Sequence, residues 1–476
     1  MTDDTPTLSV GEILKATGGT PLRGGTEWGC RGISTDTRTL RPGNLFIALR
    51  GENFDGHDYL SAAAQRGASG LLIRTESFGK AANQQNGLPV IGVTDTLEAL
   101  GAIAHAWRLR YPIPLVAITG SSGKTTTKEL LAAIVSRSRI VLKTTGNLNN
   151  LIGLPQTLLG LGAGHELAIV ELGTNHPGEI ARLSAIAAPD VGLITNIGPA
   201  HIEGLGSLEG IREEKGDLFR VMAGRGTAVI NHDDDAIAVL AERWRGRRVT
   251  FGLKAGADLT ARRIGQATPE GVGFEIVIDG IATPARLPVP GRHNIMNALA
   301  AAAAAWALGF DRQAIAEGLA AYRPIPGRME IRRLGNGTFM IMDTYNANPA
   351  SVREALKTVE ELKGAGSAFA ILGDMLELGK RAEALHGEIG TLLAETGIAR
   401  VFLKGTLSRY TAEGARKNGF PAEKIVFFDD PGQVVTDLRS RLRKRDWILI
   451  KGSRKMKMEV VAEAIIATFD LKTQTV

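Results

Sequence analysis

Cysteine and aromatic residues are scarce in this 476-residue chain. Its single cysteine, Cys30, excludes an internal disulfide and any metal site made of clustered cysteines, and is typical of a reducing compartment such as the cytoplasm. Aromatic residues make up 5% of the chain, which leaves few side chains that could stack on nucleic-acid bases. We therefore expect no nucleic-acid partner.

Long hydrophobic runs are also missing. The longest, Ala298 to Leu308, is mostly alanine and shorter than the ~20 residues that a membrane span needs. It predicts a closely packed internal helix that ends at Gly309. The first residues, Met1 to Pro6, lack the apolar core of a signal peptide. We therefore expect a cytoplasmic protein without a membrane partner.

The net charge is mildly positive, at +6 with a pI near 9.4. The densest basic run, Arg439 to Arg445, contains no aromatic residue, and we interpret it as a solvated helix face. A second charged run, Arg212 to Asp217, predicts by itself an exposed helix start. A mild positive balance also suits a protein that binds polyanionic small molecules.

Strand-like runs alternate with helical segments along the whole chain, which predicts an α/β fold of roughly three units. We place the first domain at residues 1–105, the second at 106–327 and the third at 328–476. The sequence Tyr111-Pro-Ile-Pro114 is a plausible linker between the first two. In the second domain the pattern predicts a largely parallel sheet covered on both faces.

A phosphate-binding turn is predicted at the start of the second domain. The apolar run Leu115 to Thr119 predicts a strand, a Gly/Ser turn follows, and helical periodicity begins near Thr125. The general phosphate-loop pattern requires a glycine where Ile118 stands, so this loop is a shorter variant. Backbone N–H groups and a helix N-terminus would hold the ATP phosphates, Lys124 would add a cation, and the Thr125 hydroxyl would reach Mg²⁺. The predicted ATP-binding residues here are Gly120, Ser121, Ser122, Gly123, Lys124, Thr125 and Thr126.

Polar residues follow two further strands of this predicted sheet. Glu171 ends the apolar run Ala168 to Glu171, and His201 follows the run Val191 to Asn196. Ligands of parallel sheets gather at the carboxyl ends of the strands, so both side chains are candidate magnesium ligands.

The third domain contains five further apolar runs, most of them separated by helical segments, which predicts a second doubly wound sheet. No G-x-G-x-x-G follows any of them, which argues against a dinucleotide cofactor. The runs are Met340 to Asp343, Phe369 to Asp374, Val401 to Lys404, Ile425 to Phe428 and Trp447 to Lys451.

Taken together, these segments resemble the Mur ligase family over nearly the whole chain. The short phosphate loop matches the loop of that family, so the missing glycine is no departure from it. The string Asp343-Thr-Tyr-Asn-Ala-Asn-Pro-Ala-Ser351 is the most specific, and the Asp-Asn-Pro-Arg string that marks the diamino-acid-adding relative is absent. The other matching segments are Lys143 to Pro155, Glu171 to Ile180, Ala200 to Ser207, Gly291 to Asn297, Gly327 to Glu330, Leu372 to Gly379 and Lys451 to Glu459.

The resemblance implies a three-domain α/β architecture, with a central P-loop-type, mostly parallel sheet and a C-terminal Rossmann-like domain. It implies an ATP-dependent ligase that joins UDP-N-acetylmuramoyl-tripeptide to D-Ala-D-Ala through an acyl phosphate, in peptidoglycan precursor synthesis. Two Mg²⁺ ions and a monomer are expected. The first domain would bind the UDP-linked substrate, and the third would bind the incoming dipeptide.

The resemblance also assigns roles to individual residues. The catalytic set would be Lys124, Glu171, His201 and Lys215. Residues that would complete the ATP site are His293, Asn294, Asn297, Arg328 and Asp343. The UDP-linked substrate would be held by Ser34, Thr35, Asp36, Thr37, Arg38, Thr145, Asn147 and Asn150. Tyr345, Asn346 and Asn348 would shape the dipeptide site, although Asn and Ser in this turn would also cap a following helix.

Lys215 acquires a specific role from the resemblance. In relatives the matching lysine is carbamylated, and the resulting carboxylate helps to hold the second Mg²⁺. A free ammonium beside two dications would be repelled, whereas a carbamate would bind them. The predicted metal ligands are therefore Thr125, Glu171, His201 and carbamylated Lys215.

Two alternatives remain open at this point. Another ligase of the same family would share the central domain and use a different acceptor amino acid or a folate. A nucleotide-gated binding protein would hydrolyse ATP only when a macromolecule stimulates it.

Overall fold

The structure is a computed structural model that describes residues 6–82, 87–200 and 202–470. Its strands form sheets in three successive stretches of the chain, which we call the N-terminal, central and C-terminal lobes. The α/β architecture predicted from the sequence is confirmed. No helix in the described ranges is both long and apolar enough to cross a bilayer.

Among its described residues, the N-terminal lobe contains seven short strands and four α-helices. The strands are β1 (Thr7–Ser9), β2 (Thr20–Arg23), β3 (Gly29–Arg31), β4 (Ile33–Ser34), β5 (Leu45–Ile47), β6 (Gly70–Arg74) and β7 (Val90–Val93). The helices are α1 (Val10–Thr17), α2 (Leu60–Gln65), α3 (Phe78–Ala82) and α4 (Thr96–Arg108), with 3₁₀ turns at Gly56–Tyr59 and Thr75–Ser77. A five-stranded sheet runs in the order β2-β7-β6-β5-β4, and β1 pairs with β3.

The central lobe is built on one nine-stranded sheet. Its strands are β8 (Leu115–Thr119), β9 (Val141–Lys143), β10 (Leu167–Glu171), β11 (Val191–Ile194), β12 (Thr227–Asn231), β13 (Arg247–Phe251), β14 (Leu259–Arg262), β15 (Val272–Ile278) and β16 (Ile281–Leu287). Its helices are α5 (Lys124–Val135), α6 (Gly153–Leu158), α7 (Glu179–Ala187), α8 (Ile202–Leu205), α9 (Leu208–Met222), α10 (Asp235–Glu242), α11 (Arg292–Ala307) and α12 (Arg312–Ala321).

The order of this sheet places the phosphate-loop strand in its middle. The strands run β16-β15-β14-β13-β12-β11-β8-β10-β9, and only the β14–β16 edge is antiparallel. Strand β8 is buried on both faces, with Leu115 and Ala117 in one hydrophobic cluster and Val116 and Ile118 in another. Because β8, β10 and β11 are parallel neighbours, their carboxyl ends meet at one edge.

Helix α11 confirms the prediction of a closely packed internal helix. Its residues Ala298 to Ala305 are all buried. Their short side chains allow the helix to lie close to the sheet and to α5.

The C-terminal lobe is a second doubly wound unit. Its strands are β17 (Glu330–Arg333), β18 (Phe339–Asp343), β19 (Ala368–Gly373), β20 (Arg400–Lys404), β21 (Ile425–Phe427) and β22 (Trp447–Lys451). Its helices are α13 (Pro349–Lys363), α14 (Ala382–Glu395), α15 (Ser408–Lys417), α16 (Pro431–Arg441) and α17 (Glu459–Phe469), with 3₁₀ turns at Gly379–Arg381, Ala422–Lys424 and Arg454–Met456. The sheet order is β17-β18-β22-β19-β20-β21.

The five strands predicted for this lobe are all present. The sequence analysis missed β17, an antiparallel edge strand paired with β18. Its sequence, Glu-Ile-Arg-Arg, lacks the apolar run by which the other strands were identified. The basic run Arg439 to Arg445 is exposed except at Leu442, as expected of a solvated face, although α16 ends at Arg441.

The prediction of an exposed helix start at Arg212 to Asp217 was wrong. This run lies within α9, which begins at Leu208, and Glu214, Lys215 and Asp217 are buried. Helix α9 packs against α7 and α10, so a charged sequence lies in the interior.

Candidate active site

The phosphate loop connects β8 to α5 through a turn that requires glycine. Gly123 is the residue before α5 and has φ +79°, a left-handed conformation that L side chains rarely adopt. A Cβ on Gly123 would lie 2.2 Å from Asn297 Oδ1, and one on Gly120 would lie 1.9 Å from Thr195 Oγ1. A side chain at either position would therefore have to displace Asn297 or Thr195.

Polar groups from the end of β11 hold this loop in place. The Ser122 N–H donates to Asn196 Oδ1 at 3.0 Å, and the Thr195 hydroxyl donates to Ser122 O at 2.6 Å. The Ser121 hydroxyl donates to Gly198 O at 2.9 Å. These contacts fix the loop before any ligand arrives, which lowers the ordering cost of binding.

Glu171 ends β10 beside the loop, as its sequence position predicted. Its carboxylate accepts hydrogen bonds from the Thr125 hydroxyl at 2.8 Å and from Asn149 Nδ2 at 2.9 Å. Its side chain is buried, and its N–H donates to Thr144 Oγ1 at 3.0 Å. A carboxylate and a hydroxyl are thus oriented together at the edge of the sheet, and hard cations prefer such oxygen ligands.

Two lysines give this edge a concentrated positive charge. Lys124 donates to Gly120 O at 2.7 Å. Burial lowers the pKa of Lys124, the Glu171 carboxylate opposes this shift, and the Arg328 charge adds to it. Lys215 is 1% exposed. Burial, together with the Lys124 charge, lowers the pKa of Lys215 well below its ordinary 10.5.

Glu214, the neighbour of Lys215, binds the N-terminus of α7. Its carboxylate accepts hydrogen bonds from the backbone N–H groups of Gly178, at 2.6 Å, and Ile180, at 2.8 Å. It also accepts one from the Thr174 hydroxyl at 3.0 Å. Glu214 thereby satisfies the N-terminus of α7 and anchors α9, which carries Lys215.

His201, the remaining predicted metal ligand, lies outside the described residues. Across the residues that are described, no group of three or more His, Cys, Asp or Glu side chains could hold a metal ion. A cation at Glu171 would therefore need additional oxygen ligands, such as those of a phosphate chain.

The predicted adenine signature begins α11 next to the loop. Asn294 donates to Pro290 O at 2.7 Å, and Asn297 Nδ2 donates to Asn294 Oδ1 at 3.2 Å. The buried His293 Nδ1 has no hydrogen-bond partner, and burial lowers the pKa of this imidazole while Asp343 and Glu354 oppose the shift. The nearest carboxylate to this nitrogen is that of Glu354, at 4.0 Å.

The facing wall comes from the C-terminal lobe. Asp343, at the end of β18, forms an ion pair with the buried Lys451 at the end of β22, and Lys451 also donates to Asn346 O at 3.1 Å. The Arg328 guanidinium lies over the Tyr345 ring, 4.1 Å from its centroid. These contacts hold the charged side chains of this wall in place before a ligand binds.

Asn348 has the capping role that the sequence also allowed. It is the N-cap of α13, and its side chain accepts from the Ser351 N–H at 2.9 Å. Pro349 is the first helical residue, a position where its missing N–H costs nothing.

One cavity of about 800 Å³ lies between the two walls. Its lining contains residues from both the central and the C-terminal lobe. The predicted site residues among them are Ser121, Ser122, Gly123, Lys124, Thr125, Thr126, Asn147, Asn150, Glu171, His293, Asn294, Asn297, Arg328, Asp343, Tyr345, Asn346 and Asn348.

The predicted UDP-binding residues of the N-terminal lobe do not line this cavity, and neither does Thr145. Asp36 and Arg38 pair with each other through a 2.7 Å contact on the surface. Thr35 Oγ1 accepts a hydrogen bond from Gln156 Nε2 of α6 at 3.1 Å, which connects this segment to the central lobe. Ser34 and Thr37 belong to the same short segment.

Sequence reasoning missed several lining residues. Asn149 was passed over in favour of Asn147 and Asn150, yet it is the one that contacts Glu171. Lys451 was quoted only within a motif, although a lysine at the end of a buried strand was a signal for it. Asn196 and Thr195 gave no signal, because their role depends on how β11 pairs with β8.

Comparisons with known proteins agree with this arrangement. Residues 30–108 match the Mur ligase family catalytic domain, 118–305 the Mur ligase middle domain, and 327–454 the Mur ligase glutamate ligase domain. UDP-N-acetylmuramoyl-tripeptide--D-alanyl-D-alanine ligase of Escherichia coli is 38% identical over 446 residues, which cover 91% of this chain and 93% of that protein.

Solved structures extend the similarity to the whole fold. A crystal structure of MurF from Acinetobacter baumannii superposes with a TM-score of 0.89 at 31% identity, covering 98% of this chain and 100% of that one. MurF ligase from Thermotoga maritima in complex with ADP gives a TM-score of 0.81 at 28% identity, covering 91% and 97% of the two chains.

Proposed function

The chain belongs to the Mur ligase family, and on that premise we propose that it joins UDP-N-acetylmuramoyl-tripeptide to D-Ala-D-Ala during peptidoglycan precursor synthesis. The enzyme is an ATP-dependent ligase. The observation that carries the proposal is the shared cavity, in which Lys124 and Glu171 face Asp343 and Tyr345. We propose that the reaction takes place in the cytoplasm, where ATP and UDP-linked substrates are available.

The first step activates the terminal carboxylate of the tripeptide. A carboxylate oxygen attacks the γ-phosphorus of ATP, the bond to the β-phosphate oxygen breaks, and ADP leaves. The backbone N–H groups from Gly120 to Thr126 would hold the phosphates, and Lys124 would stabilise the charge that develops on the γ-phosphoryl group. The product is an acyl phosphate, a far better electrophile than a carboxylate.

The second step forms the amide. The D-Ala-D-Ala amine attacks the acyl carbon, inorganic phosphate leaves with one of the original carboxylate oxygens, and the amine loses a proton. Tyr345, Asn346 and Asn348 would position the dipeptide, while His293, Asn294, Asn297, Arg328 and Asp343 would hold the nucleotide. Much of the rate would come from this positioning.

The residues present fit a Mg²⁺ site. Thr125 and Glu171 place a hydroxyl and a carboxylate 2.8 Å apart, and an ion bound there would complete its coordination with phosphate oxygens. We propose that Thr125 and Glu171 hold one Mg²⁺. His201 and carbamylated Lys215 would hold a second. When bound, the ions would neutralise charge on the phosphates and the carboxylate.

The burial of Lys215 beside Lys124 supports carbamylation. A buried ammonium close to Lys124 is costly, whereas an anionic carbamate there would be attracted to Lys124 and to a cation. Glu214 and Asp217 flank it in sequence, and Glu214 is fully used by the N-terminus of α7.

The UDP end of the substrate is assigned to the N-terminal lobe. Ser34, Thr35, Asp36, Thr37 and Arg38 would bind it, with Arg38 exchanging Asp36 for a phosphate. Thr145, Asn147 and Asn150 would contact the substrate where it enters the cavity. The domains would comprise residues 1–105, 106–327 and 328–476, in a monomeric enzyme.

One assay tests the proposal. Phosphate release is measured with ATP and Mg²⁺ while UDP-N-acetylmuramoyl-tripeptide and D-Ala-D-Ala are supplied singly and together. We expect release only with both, together with a product of the joined mass. Release that requires another amino acid would identify a different ligase of the family, and release that requires a macromolecule would overturn the proposal.

A further inference from the structure

The cations that line the cavity are not equivalent. Lys124 belongs to the phosphate loop, and Lys451 is committed to Asp343 and Asn346. Arg292 begins α11 at the predicted adenine end. Arg328 stacks on Tyr345 and lies close enough to Lys124 to affect its ionisation. The remaining cavity cations are Arg454, which pairs with Glu459, and Lys455.

Arg454 is placed to receive an anion. It begins the 3₁₀ turn that follows β22, its side chain is 63% exposed, and its guanidinium lies 6.0 Å from the Tyr345 ring centroid. The ion pair recorded for it is a single 2.9 Å contact from one guanidinium nitrogen to Glu459 Oε1. The planar fork of an arginine can bind a carboxylate through two parallel hydrogen bonds, so this contact leaves capacity unused.

Two arginines therefore approach one tyrosine ring from different elements. Arg328 connects the ring to the phosphate end through its proximity to Lys124. Arg454 follows β22, lies near the same ring, and donates a hydrogen bond to Glu459 at the start of α17. A short zwitterion that binds beside Tyr345 would have the Arg454 guanidinium available for its carboxylate.

We propose that Arg454 binds the terminal carboxylate of the incoming dipeptide and so selects an acceptor with a free carboxylate. The inference rests on the proposed function, since it presupposes a dipeptide whose amine reacts. The acceptor carboxylate takes no part in the chemistry and remains free in the product. It would be repelled by the ATP phosphates, so a cation beside Tyr345 that attracts it would also direct the amine towards the acyl phosphate.

The test compares two acceptors, D-Ala-D-Ala and its C-terminal amide, D-alanyl-D-alaninamide. With the unaltered enzyme we expect kcat/KM for the amide to be about 10- to 100-fold lower, the range expected when a charge-assisted hydrogen-bonded pair is lost. In Arg454→Gln the ratio of kcat/KM for D-Ala-D-Ala to kcat/KM for the amide should fall close to one. D-Ala-D-Ala loses the partner of its carboxylate, whereas the amide loses little. The KM values for ATP and for the UDP-linked substrate should stay unchanged.

Two control variants sharpen the result. Arg439→Gln removes an exposed arginine of α16, and it should keep the full preference for the free carboxylate. Lys455→Gln removes the neighbouring cavity cation. If Lys455→Gln abolishes the preference and Arg454→Gln keeps it, the assignment to Arg454 is overturned.

The outcomes also separate this inference from the proposed function. An unaltered enzyme that releases no phosphate in response to D-Ala-D-Ala would contradict the function itself. An enzyme that ligates D-Ala-D-Ala but accepts the amide equally well would contradict only the carboxylate site. A lowered melting temperature would reveal whether Arg454→Gln unfolds. In that case Arg454→Lys provides the test, because lysine keeps the charge but lacks the planar guanidinium. This variant should retain part of the preference for the free carboxylate, and a full preference would overturn the bidentate contact.

Discussion

The central lobe meets its two neighbours in different ways. On one side α4 packs on α6 and α7, their side chains share a buried hydrophobic cluster, and Trp107 Nε1 donates to Leu161 O at 3.0 Å; we call this the core junction. On the other side lies the cavity between the central and C-terminal lobes, which we call the cavity junction. Among the described residues, no buried hydrophobic cluster has members on both sides of the cavity junction.

This difference indicates which lobe moves. A shared apolar core fixes two lobes together, whereas a polar junction with few direct contacts allows one lobe to shift when ligands bind. Direct contacts across the cavity junction include the Glu203 N–H, which lies 3.4 Å from Glu377 O. We therefore expect the N-terminal and central lobes to act as one platform, with the C-terminal lobe closing over the ATP.

The largest expected effect is on stability and lies at the core junction. Trp107 is 5% exposed, and its ring packs edge-on against Tyr111. Trp107→Ala should lower the free energy of unfolding by about 3–5 kcal/mol, because it leaves a cavity and an unpaired Leu161 carbonyl. Denaturant unfolding measures this loss. Turnover per folded molecule at low temperature should stay unchanged, and a clear drop in turnover would show that the core junction takes part in the catalytic motion.

The next effect belongs to the cavity junction and is catalytic. Lys124→Met should reduce kcat by about 10²- to 10³-fold, because the cation on the γ-phosphoryl group is lost from the transition state. Steady-state phosphate release measures the change, and the melting temperature should remain close to that of the unaltered enzyme. Lys417→Met, at an exposed lysine at the end of α15, is the matched control and should be fully active.

Lys215 allows a test by chemical rescue. Lys215→Ala should reduce kcat on the order of 100-fold, since a proposed ligand of the second Mg²⁺ is removed. Short carboxylates such as formate or acetate should restore part of the activity independently of carbon dioxide. Lys128 is another buried lysine, but it is paired with Glu129 and donates to Thr144 O, so Lys128→Ala should not be rescued. Intact-protein mass spectra without a carbamate on Lys215 would count against its role.

A smaller effect is expected from the glycine of the loop. Gly123→Ala should weaken ATP binding about tenfold, because φ +79° is unfavourable for alanine and the new Cβ would displace Asn297. Gly419→Ala is the matched control, since Gly419 has φ +89° with nothing within 4 Å of a Cβ. Calorimetric titration with a non-hydrolysable ATP analogue should detect a change for Gly123→Ala alone. Equal weakening in both variants would mean that the contact with Asn297 is unimportant.

The two junctions also differ in how far the sequence could predict them. The phosphate loop is a local structure, so its strand, glycines, Lys124 and Thr125 could be recognised within a dozen residues. The buried strands and the alanine-rich α11 were predicted for the same reason, since each is a continuous run of apolar residues.

The remaining features depend on contacts between distant segments. The run from Arg212 to Asp217 is typical of a solvated helix, and only the packing of α9 on α7 and α10 buries it. The pairing of Lys451 with Asp343 joins residues 108 positions apart, and composition cannot reveal it. Likewise, Arg454 lies in the matching segment Lys451 to Glu459, but its position near the Tyr345 ring depends on a contact between distant residues.

The account's central claim is that the tripeptide carboxylate meets the γ-phosphate of ATP at Lys124 before the amine arrives. The most direct measurement labels that carboxylate with ¹⁸O and determines the isotopic composition of the phosphate released during ligation. We predict one ¹⁸O atom in each released phosphate, because the departing phosphate carries an oxygen of the original acid. Phosphate without the label would contradict the acyl phosphate and, with it, the role assigned to the cavity.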